Sequence, residues 1–364
     1  MDFYIGLMSG TSMDGIDTAL IQLPSNKLIH GLTQKYSEGT KKLLLELVHT
    51  QHTSLSNLGR LNRLIGIDFA SAVNQILDET GYSASAIRAI GSHGQTVSHD
   101  TKTDVPYTLQ LGCPHTISSL TGIDVVADFR TRDLVNGGQG APFAPLYHQE
   151  LFAQYDEHAV IVNVGGIANA SFLNPGQKTK GWDVGPGNCL MDAWIELHQN
   201  KEYDADGRWA AQGKLIAPLL ENLLSDPFFT QAAPKSIGKE YFSLSWLKQY
   251  LKQEYPVIDV QATLLELTAL GIARSITEED QNVKKLYLCG GGAHNSQLIN
   301  RLIHLLPQIE IRTVMDLGVN PDYLEAMMFA WLASQTINSI AVDLRAITGS
   351  KNKAILGAIY PTTK

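Results

Sequence analysis

The segment Ala159–Val164 is a continuous strand-like run, apolar except at Asn163, and what surrounds it limits the possible folds more than any other feature. Gly165-Gly166 makes a turn after it, and residues 168–173 (ANASFL) extend again. The same order of strand, glycine turn and strand opens the sequence. There, residues 3–8 (FYIGLM) lead through SGTSMDG into Ile16–Leu23. Apolar runs of this length bounded by glycine read as strands, and a glycine-rich hairpin loop lets another group approach its backbone closely. A pattern met near the start of each half is an internal repeat, which predicts two related sheets facing a shared cleft.

The intervening sequence supplies helices and further strands. Residues 28–36 suit a third strand. Leu55, Leu58, Leu61, Ile65, Phe69, Val73 and Ile76 recur at helical spacing and predict a long amphipathic helix. Residues 87–92 and Val125–Ala127 read as short buried strands. Asn136-Gly-Gly-Gln-Gly-Ala-Pro is dense in turn formers and marks a loop or domain junction. Residues 285–305 form another α/β unit: the strand LYLC, the turn Gly290-Gly291-Gly292, and a helix carrying Leu298, Ile299, Leu302 and Ile303. Asp322 with Glu325 three residues later suits a capping box on a late helix running through Leu332. The predicted class is α/β with mixed sheets in two domains, residues 1–135 and 136–364, with a C-terminal tail free to return to the first. A length of 364 residues fits two domains of roughly 150–200.

Composition narrows the function. Hydrophobic residues at 44% and charged residues at 18% suit a folded chain with ample core and exclude a disordered one. The net charge of -8 lacks the footprint that attracts nucleic acid or an anionic membrane, so neither partner is expected. Three cysteines without a CxxC pair argue against a disulfide framework or a thiolate zinc site. The beginning MDFYIGLMSG has no basic stretch ahead of an apolar run, and no segment reaches membrane-spanning length. The expectation is a protein of the reducing cytoplasm.

Neither a GxxxxGK[ST] loop nor a GxGxxG between strand and helix occurs. What remains is a set of glycine turns: Ser9-Gly10-Thr11-Ser12, Gly165-Gly166 and Gly290-Gly291-Gly292. Successive backbone N–H groups at such turns form concave anion nests, and Ser or Thr hydroxyls add donors. Asp14 and Asp17 lie beside the first turn and suit a Mg²⁺ ion that keeps its waters. Each turn taken alone reads first as a tight hairpin. Three at comparable places favour a phosphate ligand.

The segments GLMSGTSMDGID, GSHGQTVSH, ADFRTRD, NVGGIANASFL, WDVGPGN and CGGGAHN, in this order, closely resemble the anhydro-N-acetylmuramic acid kinases. These belong to the actin-like ATPase superfamily, with hexokinases and acetate kinases. The resemblance implies a two-lobed actin-like (ribonuclease-H-like) fold, with mixed sheets flanked by helices and ATP in the interlobe cleft. It places Gly10, Thr11, Ser12, Met13, Asp14, Gly15, Ile16 and Asp17 in the first phosphate loop. Gly165 and Gly166 fall at the second phosphate turn, and Gly290, Gly291 and Gly292 near the adenosine. It also implies a homodimer and a role in recycling cell-wall sugar.

Trp182-Asp183-Val184-Gly185-Pro186-Gly187-Asn188 holds one Asp on a stiff turn. Such a residue often serves only as a turn or N-cap carboxylate. The resemblance makes Asp183 the general base of a reaction in which anhydro-sugar, ATP and water give N-acetylmuramic acid 6-phosphate and ADP. Gly185 then flanks the sugar. Arg130 offers a planar two-donor fork to the lactyl carboxylate, or else an ion pair to Asp128 or Asp133. Gln95 and Thr96 resemble sugar contacts on a loop, and Glu325 either grips sugar hydroxyls or caps its helix. His93 and His99 read as polar loop histidines rather than metal ligands, since no carboxylate or Cys completes a set. The rival readings are a kinase of another sugar on the same fold and a non-catalytic sugar-sensing or filament-forming actin relative.

Overall fold

The computed structural model describes every residue except 11–12, 14, 153–157, 238–240 and 364. The chain forms two compact units, residues 1–147 with 323–364, and residues 148–322.

The first unit begins with an antiparallel meander of β1 (Asp2–Ser9), β2 (Ile16–Leu23) and β3 (Lys27–Gln34). Helices α1 (Glu38–Thr50) and α2 (Leu55–Thr80) follow, the latter opened by Ser54, whose hydroxyl accepts the Asn57 N–H. The chain returns through β4 (Ile87–Asp100), parallel to β1, and folds back as β5 (Tyr107–Leu111). After α3 (Pro114–Thr121) comes β6 (Val125–Ala127), parallel to β4, and then α4 (Phe129–Val135). The core beneath the sheet joins Ile5, Leu7, Ile16 and Leu20 to the stripe of α2 at Ile65, Phe69, Val73 and Ile76.

Helix α5 (Ala144–Phe152) leads into the second unit. There β7 (Ala159–Val164), β8 (Ile167–Leu173) and β9 (Lys180–Pro186) form another antiparallel meander. Helix α6 (Cys189–Gln199) and the short helices α7 (Ala217–Leu224), α8 (Pro227–Thr230) and α9 (Leu244–Lys248) precede the long α10 (Val257–Glu279). Strand β10 (Lys285–Cys289) then pairs parallel to β7. It is followed by α11 (Ser296–Leu305) and β11 (Glu310–Thr313), parallel to β10. Two apolar clusters serve this unit: one under the sheet, and an aromatic one around Phe228, Phe242 and Trp246.

The repeat read from the glycine turns is a repeat of topology. Sheet order β3-β2-β1-β4-β6 in the first unit matches β9-β8-β7-β10-β11 in the second, strand for strand and direction for direction. This is the duplicated α/β architecture of the actin-like fold, with two mixed sheets flanked by helices.

The first unit extends further than residues 1–135. Its glycine-rich loop is tied back into it: the Gly140 N–H donates to Asp133 Oδ2 at 2.7 Å and the Lys351 N–H to the Asn136 carbonyl at 2.8 Å. The tail belongs to it as well. Helix α12 (Leu324–Ile337) lies on β1 and β4, and β12 (Ala358–Tyr360) pairs antiparallel with β6. Gly6 and Gly91 sit opposite each other in the β1–β4 register and meet the backbone of α12. A Cβ on them would fall 1.7 Å from the Ala326 carbonyl oxygen and 1.9 Å from that of Phe329.

The predicted capping box at Asp322 and Glu325 does not form. A 3-10 turn over Pro321–Tyr323 takes up Asp322, whose carboxylate lies 3.1 Å from His294 Nε2. The helix therefore starts at Leu324 without a side-chain cap, which puts Glu325 in its first turn. Among the described residues, no helix is long and apolar enough to cross a membrane.

Candidate active site

Asp183 lies on β9, opposite Asn169 of β8, and is 7% exposed. The chain at residues 235–237 closes over it. The Asp183 N–H donates to the Lys235 carbonyl at 2.9 Å, and the Ile237 N–H donates to Asp183 Oδ2 at 2.7 Å. Lys235 is anchored in turn by an Nζ bond of 2.9 Å to the Phe228 carbonyl and by the Phe228 ring 4.5 Å away. Burial drives the Asp183 carboxyl up to about 7, against the pull of the Ile237 N–H and the Ser236 hydroxyl. A carboxylate that takes and gives a proton near neutrality has the property a general base requires. An N-cap role is excluded, because the residue is inside a strand and its acceptor bond comes from 54 positions away.

Gly165 and Gly166 form the β7–β8 turn, and their carbonyls face the start of α6. Gly187 and Cys189 N–H groups donate to the Gly166 carbonyl at 2.9 and 3.1 Å, and the Asn188 N–H donates to that of Gly165 at 2.8 Å. The Gly166 N–H, trans to the Gly165 carbonyl across one peptide, therefore faces away from α6, and Gly166 is exposed. Gly290 follows β10, which runs parallel to β7, so the two glycine turns leave the same end of the sheet. Ligands of α/β sheets bind beyond the carboxyl ends of strands. Gly290 is required here twice over. Its φ is +71°, and a Cβ would lie 2.3 Å from Asn163 Oδ1. Gly292 packs on Val164, and Gly291 stays exposed. Gly185, at the end of β9, faces the Phe229 ring.

In the first unit, Thr11, Ser12 and Asp14 lie outside the described residues. The neck of their loop is held by Ser9, whose hydroxyl stands 2.8 Å from both the Gly15 carbonyl and Gln95 Oε1 and shares one proton between them. Gln95 Oε1 also accepts from Tyr36 Oη at 3.1 Å, and Gln95 Nε2 donates to the Gly10 and Thr96 carbonyls at 3.2 Å each. Gln95 and Thr96 are therefore on strand β4, not on a loop, and Gln95 is fully buried. Pairing with β1 and β5 satisfies a polar sequence that has no strand signal of its own. Thr96 is half-buried and its hydroxyl accepts from Gln110 at 3.1 Å. Met13 takes φ +60°, a costly conformation for a bulky residue, and buries its side chain in the core, as Ile16 does. Both offer only backbone to a ligand.

Asp17 is half-buried, and its Oδ1 accepts the Thr33 hydroxyl at 2.7 Å. Burial pushes the Glu325 carboxyl's pKa upward, Arg130 pulls it down, and Asp17 adds a smaller upward push. Carboxylate oxygens such as those of Asp17 and Glu325 are hard donors of the kind that a hydrated Mg²⁺ accepts through its waters. Among the described residues, no three His, Cys, Asp or Glu are arranged to hold a metal directly.

Arg130, at the start of α4, forms neither of the ion pairs weighed for it. Its Nε donates to His93 Nε2 at 2.8 Å, one terminal nitrogen donates to the Gly140 carbonyl at 2.7 Å, and its guanidinium stands 5.5 Å from the Phe143 ring centre. Burial lowers its pKa to about 10, opposed by the charges of Glu325 and Asp133. Asp128 is exposed, and Asp133 binds Thr348 and Gly140 instead. His93 is not a polar loop histidine: it is 5% exposed within β4 and its ring packs on Phe329 at 4.7 Å. His99 is exposed on the same strand.

The sequence does not signal the 235–237 clamp, the bond from Tyr36 to Gln95, or the burial of His93 against Arg130. Nothing in residues 234–237 signals a partner so far away in sequence.

The family model for anhydro-N-acetylmuramic acid kinase matches residues 2–362. A protein of that name from Legionella pneumophila (strain Corby) is 61% identical over 364 residues, covering 100% of both chains. One from Coxiella burnetii (strain Dugway 5J108-111) is 46% identical over 360 residues, 98% of this chain and 97% of the other.

Proposed function

This chain belongs to the anhydro-N-acetylmuramic acid kinase family, and on that premise we propose that it opens 1,6-anhydro-N-acetylmuramic acid with water and transfers the γ-phosphoryl of ATP to the freed O6. The products are N-acetylmuramic acid 6-phosphate and ADP. In this reading it works as a homodimer in the cytoplasm, in cell-wall sugar recycling, without nucleic-acid or membrane partners. The observation that carries the mechanism is the Asp183 carboxylate, buried on β9 and held by the Ile237 N–H.

The chemical difficulty is the bridge from C1 to O6, because O6 is a poor leaving group as a free alkoxide. A glycosidase meets that need with a second carboxylic acid. Here phosphorus captures O6 instead, so one base suffices. Asp183 takes a proton from water as its oxygen bonds to C1 on the face opposite O6. The C1–O6 bond breaks, O6 bonds to the γ-phosphorus, and the bond to the β,γ-bridging oxygen breaks to release ADP. The backbone N–H groups at Gly10, Gly15, Gly165 and Gly166 bear on the phosphates, with Thr11 and Ser12 adding hydroxyls, and Gly290, Gly291 and Gly292 leave room for the adenosine. Asp14 and Asp17 would hold Mg²⁺ through its waters. When bound, Mg²⁺ supplies neutralising charge for the phosphoryl group. Arg130 pairs with the lactyl carboxylate, Glu325 and Thr96 take sugar hydroxyls, and Gly185 lets the sugar approach the β9 backbone. The buried Gln95 sets the first loop through Gly10 rather than offering a free group.

A coupled ADP assay across a sugar panel tests the substrate. ADP is expected to appear in step with consumption of 1,6-anhydro-N-acetylmuramic acid, and at no more than about one hundredth of that rate with glucose or N-acetylglucosamine, which lack both the bridge and the lactyl acid. Faster turnover of an ordinary hexose would assign the site to another sugar.

A further inference from the structure

We infer that His93 is a positioning residue that orients the Arg130 guanidinium for an anionic substrate group while leaving the arginine's charge free to act on it. The inference rests on the proposed pairing of Arg130 with the lactyl carboxylate, and it adds the residue that makes this pairing selective.

Arg130 Nε is a donor and cannot accept, so its 2.8 Å contact with His93 Nε2 requires a lone pair on that nitrogen. The imidazole is then neutral, with its proton on Nδ1. Burial and the adjacent guanidinium both push its pKa well below the usual value, which keeps that state. The ring has little freedom to turn, being enclosed in β4 and packed on Phe329. The usual partner of a buried arginine is a carboxylate, which fixes the fork and cancels its charge together. Among the described residues, none lies within ion-pair distance of Arg130: Glu325 and Asp133 act on it only through the field. The Nε bond to His93 and the bond to the Gly140 carbonyl fix the plane using neutral acceptors alone. The guanidinium has five donors, so N–H groups remain for a carboxylate ligand.

The test compares the acid sugar with 1,6-anhydro-N-acetylglucosamine, the same bicycle without the lactyl acid, as substrate or competitive inhibitor, using the full chain. His93→Leu is expected to raise KM for the acid sugar by more than about tenfold, with kcat and the KM for ATP changed less than about threefold. Affinity for the neutral sugar should move less than about twofold. His93→Gln, which returns a neutral oxygen acceptor near the Nε2 position, should recover most of the loss. His93→Glu keeps an acceptor but adds a charge, and should lose the acid sugar as His93→Leu does. If both sugars weaken equally in His93→Leu, or His93→Glu binds the acid sugar as well as His93→Gln, the inference is wrong. The Gln and Glu pair carries the test if His93→Leu does not fold. Arg130→Leu separates the two levels. A selective loss of the acid sugar there, without one in the His93 variants, overturns only the role of His93. No selective loss in either overturns the pairing of Arg130 with the carboxylate.

Discussion

Replacing Asp183 by Asn is expected to lower kcat by roughly 10²–10⁴, the range that a positioned general base contributes. The amide keeps the shape and can still accept the Ile237 N–H bond that holds the carboxylate now. It cannot take a proton from water. The KM for ATP should stay within about threefold of the parent, because Asp183 is assigned no contact with nucleotide. The pH profile gives a second reading. Only the ionised carboxylate acts as a base, so kcat/KM should rise with pH through about 7 and level off above it. The Asn variant should lack that limb. The stability effect runs in the other direction. Because its pKa is raised in the folded chain, Asp183 stabilises the fold most below the ordinary carboxylate range, and that contribution is lost as pH rises through about 7. An uncharged amide avoids the cost, so Asp183→Asn should be at least as resistant to heat as the parent at pH 8. Activity within about threefold of the parent would remove Asp183 from the role of base.

The second large effect is expected from Gly91→Ala. The new Cβ would stand 1.9 Å from the Phe329 carbonyl oxygen and 2.6 Å from its carbon, both backbone atoms of α12. No side-chain rotation relieves such a contact, so the helix must lift from β1 and β4 and loosen Phe329 and Ala330, which are fully buried. Overpacking of this kind costs about 3 kcal/mol, or roughly 6–12 °C in Tm for a unit of this size. Glu325 stands in the first turn of the displaced helix, so sugar affinity should fall as well. A melting temperature within about 1 °C of the parent would mean that α12 does not rest on this glycine.

The unequal legibility of the sequence has physical reasons. Strands β2, β6 and β7 are readable to the residue because apolar side chains predominate in them and glycine or polar turns end them. Strand β4 was readable only to Ser92. Beyond it, HGQTVSHD carries no apolar alternation, and its extended form comes from partners in β1 and β5. Helix α10 gave no amphipathic stripe because its buried residues face in nearly every direction. The return of residues 323–364 to the first unit is a matter of long-range packing: α12 rests on Gly6 and Gly91, and β12 pairs with β6. At the site, single residues were legible where the motifs carried them. The motifs single out Asp183 and Arg130 as candidates, but they do not signal the surroundings of either. The clamp at 235–237 and the neutral acceptor at His93 exist only once distant segments meet.

Turnover in heavy-oxygen water follows the attacking oxygen directly. With Asp183 delivering water to C1 while phosphorus captures O6, promptly quenched product should carry label at the anomeric hydroxyl and none in the phosphate ester. Label in the phosphate would mean that water attacks ATP instead, which contradicts the coupled opening and transfer.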